Sequence, residues 1–280
     1  MSVARAGVLH EEHVLLGAEL AASGHAGVLC VRSYARESAG EGATVLADLT
    51  GAVYLLVSGA DAPAFCSATF AGARLGVGET AVEAALSGTG ELISAPLLVR
   101  TGDLEYVVVD LGPRQEALAA WVDLLAGAGR DGRRAFPELD VADASGMLVP
   151  LLLSGPAAEH VLGDYLHDGE ALPAAGTVSQ LRLDAISTVV AHVAVPFAPP
   201  TYLVLVPVSA ARILWRSLLS FTEVTPVGHD RLRAAVARIC PWFAGASEDG
   251  PVRASRAELE AWGLVRGGAD PDFVGGRSLR

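Results

Sequence analysis

Apolar residues along this chain come in runs of four to eight, broken by Gly, Pro or charge, and the period inside each run predicts an element. Val14, Leu15, Leu16, Leu20 and Ala21 recur on a helical period, which predicts an opening helix over 10–22 that stops at Gly24. After a polar loop over 37–42, the stretch Ala52 to Ser58 is β-branched and aromatic and reads as a buried strand. The helix after it takes Ser58 or Asp61 as N-cap and turns Phe65 inward. Strands over 91–100 and 104–111 follow, joined at Thr101-Gly102-Asp103 by a turn that suits a hairpin. A helix over 114–126 then sets Leu118, Trp121, Val122 and Leu125 on one side.

The second half repeats this grammar. A strand over 147–154 leads into GPAAEHVLGDYL, where Pro156 suits a first helical turn. Strands over 177–184, 187–195 and 202–207 precede a helix over 209–221 carrying Ile213, Leu214, Trp215 and Leu218. The shared order of strand, Ser-Gly turn, helix, hairpin and helix predicts two related α+β units with mainly antiparallel sheets, over 1–140 and 141–245. An irregular segment over 246–280 closes the chain, with a short helix capped by Ser255 and Glu258 and a tail from Gly267.

Composition narrows the chemistry. With 32 acidic and 20 basic residues the net charge is -12, so nucleic acid is not an expected partner. All the basic residues are arginine, which excludes a pyridoxal phosphate Schiff base, a Walker lysine and a lysine general base. The apolar runs fall short of the roughly 18 residues a membrane span needs. The first twenty residues lack the apolar stretch of a secretory signal, so a cytoplasmic location is expected. Cys30, Cys66 and Cys240 are far apart and odd in number, which reads as buried, reduced thiols.

Local motifs add little. Of seven histidines (10, 13, 25, 160, 167, 192 and 229), His10 and His13 have chelating i, i+3 spacing but no third ligand nearby, so no metal is expected. His160 and His167 flank a short helix as surface residues, and His229 beside Asp230 diverges from it on a helix, again a surface reading. Ser154-Gly155-Pro156 lacks the order of a nucleophile elbow. Gly72, Gly76 and Gly78 are too irregular for a dinucleotide loop.

The order of several short segments carries more. His13-Val14-Leu15-Leu16-Gly17-Ala18, Val57-Ser58-Gly59-Ala60-Asp61-Ala62 with Phe65, Leu153-Ser154-Gly155-Pro156-Ala157-Ala158 with Val161-Leu162, Val206-Pro207 before a Trp-bearing helix, and Leu232-Arg233 occur in sequence. Together they resemble the glycine-cleavage aminomethyltransferase-like, folate-binding family over residues 10–235. The resemblance implies an α+β folate-binding fold and passage of a one-carbon unit to tetrahydrofolate. Asp272-Phe273-Val274-Gly275 resembles the link into the family's C-terminal β-barrel, which is expected to be absent here.

The resemblance also locates site residues. The family's paired aspartates correspond to Ser94 and Ala95, and a hydroxyl needs an activating partner to act as a base near neutrality. The glutamate that grips the pterin corresponds to Leu203, next to Tyr202. Asp110 stands where the family has an asparagine, either accepting a bond from a ligand amine or serving as a solvated or helix-capping residue. Arg233 either holds a carboxylate tail or lies on a solvated helix face. The reading adopted is a divergent tetrahydrofolate-dependent aminomethyl or methyl transferase with an altered active site and a small-molecule ligand. Two alternatives stay open: a repurposed apolar pocket for a non-folate molecule, and a non-catalytic subunit completed by a partner chain or a second copy.

Overall fold

The first apolar segment is not one helix. In the computed structural model, which describes residues 4–23, 27–35, 37, 42–195, 199–244, 250–268 and 271–279, helix α1 spans only His10–Leu15. Gly17 follows at a φ of +73°, its N–H bonded to the Val14 carbonyl at 3.0 Å, a left-handed turn that ends the helix. The chain then runs as β1 (Ala18–Ala22), antiparallel to β2 (Leu29–Tyr34). The helix expected over 10–22 is thus corrected to a short helix and a strand, and Gly24 lies outside the described residues. Burial is inverted too: Leu15 is 77% exposed, while Glu12 and His13 are the buried residues of α1.

Further along come β3 (Thr44–Asp48), β4 (Val53–Ser58), α2 (Ala62–Thr69), β5 (Thr80–Val82) and β6 (Ala85–Leu86). The single strand expected over 91–100 is two, β7 (Leu92–Ser94) and β8 (Leu97–Gly102), because Pro96 between them has no N–H for a ladder. The expected hairpin joins β8 to β9 (Glu105–Asp110), and α3 (Gln115–Ala126) buries Leu118, Ala119 and Val122. Asp61 is the N-cap of α2, yet its carboxylate accepts the Glu138 N–H at 2.8 Å instead of capping the helix.

A small hairpin, β10 (Gly129–Arg130) and β11 (Arg133–Arg134), precedes β12 (Asp140–Asp143), β13 (Leu148–Ser154) and α4 (Ala158–Gly163). Pro156 falls before the N-cap Ala157, outside the first turn of α4. The remaining elements are β14 (Val178–Leu183), β15 (Ile186–His192), β16 (Thr201–Pro207), α5 (Val208–Leu218), β17 (Val224–Pro226), α6 (His229–Ile239), α7 (Pro241–Ala244) and α8 (Arg256–Ala261). Ile213 on α5 is exposed, whereas Leu214, Trp215 and Leu218 are buried. The capping box of α8 is present: Ser255 Oγ accepts the Glu258 N–H, and Glu258 accepts the Ser255 N–H.

Two larger sheets organise these elements, with strand orders β12-β4-β9-β8-β5 and β17-β3-β13-β16-β15-β14. All pairings are antiparallel except β17 with β3. The orders correspond strand for strand, but the leading strands are exchanged: β3 precedes β4 yet pairs with β13, and β12 precedes β13 yet pairs with β4. The compact units therefore divide the chain differently from 1–140, 141–245 and 246–280. One comprises Met1–Ala52 with Ala144–Ile239, the other Val53–Asp143 with Cys240–Arg280. In the first, helices α4 and α5 pack Val161, Leu214 and Trp215 onto Leu46, Leu151, Leu153 and Val204. In the second, Phe65, Leu118 and Val122 pack onto Val53, Leu55, Val57 and Val108.

The two Ser-Gly turns meet the exchanged strands. A Cβ on Gly59, at φ +105°, would lie 2.0 Å from the Glu138 carbonyl oxygen just before β12. A Cβ on Gly155, at φ +141°, would lie 2.4 Å from Thr44 Cα at the start of β3. Thr44 Oγ1 in turn accepts the Ala157 N–H at 2.9 Å, so a residue of the exchanged strand caps the start of α4. Positive φ and backbone overlap together predict that Gly155→Ala costs about 2–5 kcal/mol. Gly146→Ala, where nothing lies within 4 Å, should stay within about 0.5 kcal/mol, both read from urea unfolding.

Candidate functional site

Ser94 and Asp110, separated by fifteen intervening residues, are brought together in the second unit. Ser94 closes β7 and Asp110 closes β9, and Ser94 Oγ donates to Asp110 Oδ2 at 2.5 Å. Asp110 Oδ1 accepts the Gly112 N–H at 2.7 Å, a local turn of the kind aspartate favours. A Cβ on Gly112 would lie 2.9 Å from Asp110 Oδ1 and 3.0 Å from Ser94 Oγ, so the glycine lets the backbone close over the pair. Asp110 is 4% exposed and does not cap α3, whose N-cap Arg114 receives no side-chain bond. Neither a solvated residue nor a helix cap describes it. Chemically, the hydroxyl and carboxylate form a charge-assisted hydrogen bond with Ser94 as donor.

The other expected positions lie in the first unit, on β16 and α6. Tyr202 and Leu203 are adjacent on β16 and therefore face opposite sides of the sheet. Tyr202 joins the helix-covered core with Leu153. Leu203 pairs across to Leu152 and Ala191, and Leu152 to Ala47, which makes an apolar row on the other side. No side chain in that row can form a hydrogen bond. Arg233 is half-buried on α6 rather than on a solvated face, and its charge acts on Cys30 and His229.

A buried polar relay in the same unit escaped the sequence reading. His13 Nε2 donates to Asp48 Oδ2 at 2.9 Å, and the Tyr34 hydroxyl donates to His13 Nδ1 at 2.8 Å. Thr50 gives Asp48 Oδ1 two more bonds, from N–H at 2.8 Å and from Oγ1 at 2.7 Å. His229 is not a surface residue: it is buried, and its Nε2 donates to the Asp48 carbonyl at 2.9 Å. Burial pulls the His229 imidazole below its ordinary value, which keeps it neutral. Asp230, its neighbour, faces out and pairs with Arg32 at 2.8 Å. The His13 ring meets Trp215 edge-on at 5.1 Å. With its groups buried and bonded to one another, the relay ties α1, β2, β3 and α6 together rather than presenting a reactive atom. The signal available in sequence was the helical period itself, on which His13 sits opposite the exposed leucines. His25 lies outside the described residues, and among the described residues no group of three His, Cys, Asp or Glu could hold a metal ion.

Glu83, in the second unit, lines a cavity of about 140 Å³ together with Cys66, Arg100 and Tyr106. Its Oε1 has no hydrogen-bond partner, and burial pushes its carboxyl up to about 8 against the pull of the Arg266 guanidinium and the Gly72 N–H. Burial likewise pushes the Cys66 thiol up, so it is no nucleophile. Cys30, Cys66 and Cys240 are all free thiols. Among the described residues no helix is long and apolar enough to cross a membrane.

No protein-family model matches the sequence, and no curated protein matches it. Solved structures do. Aminomethyltransferase T of the glycine cleavage system from Bartonella henselae matches with a TM-score of 0.71 at 20% identity, over 98% of this chain and 73% of that one. The heterotetrameric sarcosine oxidase from Corynebacterium sp. U-96 matches with a TM-score of 0.45 at 17% identity, over 76% of this chain and 92% of that one. The chain has the aminomethyltransferase-like fold. Its two α+β units, mainly antiparallel sheets and exchanged leading strands are the form that fold takes here.

The Glu83 environment generates a pH prediction. A carboxyl whose folded value lies above its unfolded one contributes stability that is fully present below the ordinary carboxylate range. That contribution is lost as pH rises toward 8, since the unfolded chain releases the proton first. Glu83→Gln should therefore gain stability relative to the parent between pH 5 and about 8, read as a widening difference in urea midpoint; a difference that stays flat with pH would contradict this.

Proposed function

We propose that this chain is a divergent transferase of the aminomethyltransferase class, acting on a small amine-bearing substrate, with its acid–base carboxylate moved from residue 94 to Asp110. The contact between Ser94 Oγ and Asp110 Oδ2 carries this reading, because it puts a carboxylate against the hydroxyl that stands where the resemblance expects an acid. Asp110 Oδ2 accepts a hydrogen bond from the substrate ammonium and holds it by charge. Ser94 holds that oxygen in place, and the Gly112 N–H holds the other. Fixed donors of this kind favour the charged form of a carboxylate and orient it.

Tetrahydrofolate is the carrier that the fold family implies, and when bound it would supply a nitrogen acceptor for the one-carbon unit. The residues around position 203 do not fit its pterin: Leu203, Leu152, Ala191 and Ala47 offer no hydrogen-bonding side chain. Loss of such a charge-assisted bond costs about 1.5–3 kcal/mol, roughly 10- to 150-fold in affinity. The same apolar row favours a second reading, a non-folate molecule with an apolar body.

Calorimetric titration with tetrahydrofolate and 5-methyltetrahydrofolate, on the parent and on Asp110→Asn, separates the two. The transferase reading expects weak saturable binding, with a dissociation constant of about 0.1–1 mM, weakened at least about fivefold by Asp110→Asn. No binding by folded protein at ligand concentrations of several millimolar, on the order of 5 mM, overturns it and leaves the apolar-ligand reading.

A further inference from the structure

A groove of about 410 Å³ opens on the first unit, where α4, the loop over 171–175 and the ends of β15 and β16 meet. Its walls include the apolar Leu166, Leu172 and Pro173 beside polar groups, and its size falls in the range of small-molecule pockets. Three polar side chains face it: Glu159, His192 and Tyr202. Among the described residues no arginine lines it.

The orientation of these groups is set by the fold. His192 Nδ1 donates to the Pro173 carbonyl at 3.0 Å, and since a carbonyl can only accept, Nδ1 carries the hydrogen. In the neutral ring Nε2 is then left as an acceptor, with no protein partner among the described residues. The imidazole lies against the Tyr202 ring, centroids 4.4 Å apart and planes 32° apart, so neither ring swings freely. Tyr202 is 1% exposed and lines the groove from beneath His192. Burial and the charge of Glu159, which lines the same groove, push its phenol up. The groove thus gathers a carboxylate, an imidazole nitrogen and a phenol oxygen, three acceptors beside an aromatic stack.

We propose that this groove is a binding site for a small primary amine with an apolar body, independent of the transferase reading above. A primary ammonium has three N–H donors, which match Glu159, His192 Nε2 and the Tyr202 oxygen. The aromatic stack adds attraction for a cation, and the leucines and proline cover the apolar body. An anion would meet Glu159 with no arginine to offset it, so the site selects against carboxylates and phosphates.

Benzylamine, benzyl alcohol and benzoate serve as probes for titration of the full chain, followed by calorimetry and by the imidazole resonances of the histidines. Benzylamine should saturate at about 0.1–5 mM, with benzyl alcohol about tenfold weaker and benzoate without effect. Glu159→Gln changes an exposed side chain and should leave the fold intact while weakening benzylamine about 5- to 20-fold; Tyr202→Phe keeps the ring and should weaken it about threefold. Absence of saturation at about 20 mM, or equal affinity for benzylamine in the parent and in Glu159→Gln, overturns the proposal.

Discussion

The exchange of leading strands is the constraint on which the rest of this structure depends. Each repeat gives its first strand to the other repeat's sheet, so neither sheet is complete until both halves of the chain are present. The exchanged strands run close over the Ser-Gly turns, and only glycine leaves space for them: a Cβ at Gly59 or Gly155 would overlap backbone atoms. These two glycines, one in each repeat, are therefore required by close approach as well as by their positive φ. The turn that precedes each first helix is in this way determined by a strand far away in sequence.

Buried polar groups follow the same long-range logic. Asp48 ends β3, an exchanged strand, and its carboxylate receives His13 and Thr50 while its carbonyl receives His229. Glu12 on α1 is likewise satisfied by Arg216 from α5, with bonds of 2.7 and 2.8 Å. Removing water from such groups is costly unless partners replace it, and here the partners come from elements up to about 200 residues apart. Glu83 Oε1 is one of several buried polar atoms without a partner among the described residues, and burial pushes its carboxyl up to about 8, toward the neutral form.

At the candidate centre, two elements remote in sequence bring a hydroxyl and a carboxylate into contact. Residue 94 is a serine, yet a carboxylate lies against it, contributed by the end of β9. Nothing equivalent surrounds Leu203, whose neighbours across the sheet are all aliphatic. The two positions therefore differ in polarity, a hydrogen-bonded pair at one and an aliphatic row at the other.

Most elements were legible in the sequence, because hydrophobic period and turn chemistry are local properties. The hairpin of β8 and β9, the helix α3, the apolar run of β16 and the capping box of α8 follow from residues within a few positions of one another. The fold class followed from their order. The opening helix was not legible, since Gly17 and the pairing of β1 with β2 overrode a periodicity that Leu20 and Ala21 happened to continue. The break at Pro96 was written in the sequence, but its consequence depends on which strands the two pieces join. Strand partners, the burial of His229, the contact of Ser94 with Asp110 and the groove at His192 and Tyr202 belong to tertiary structure alone. Each depends on distances between residues that are remote in the chain, and no local period or spacing encodes those distances.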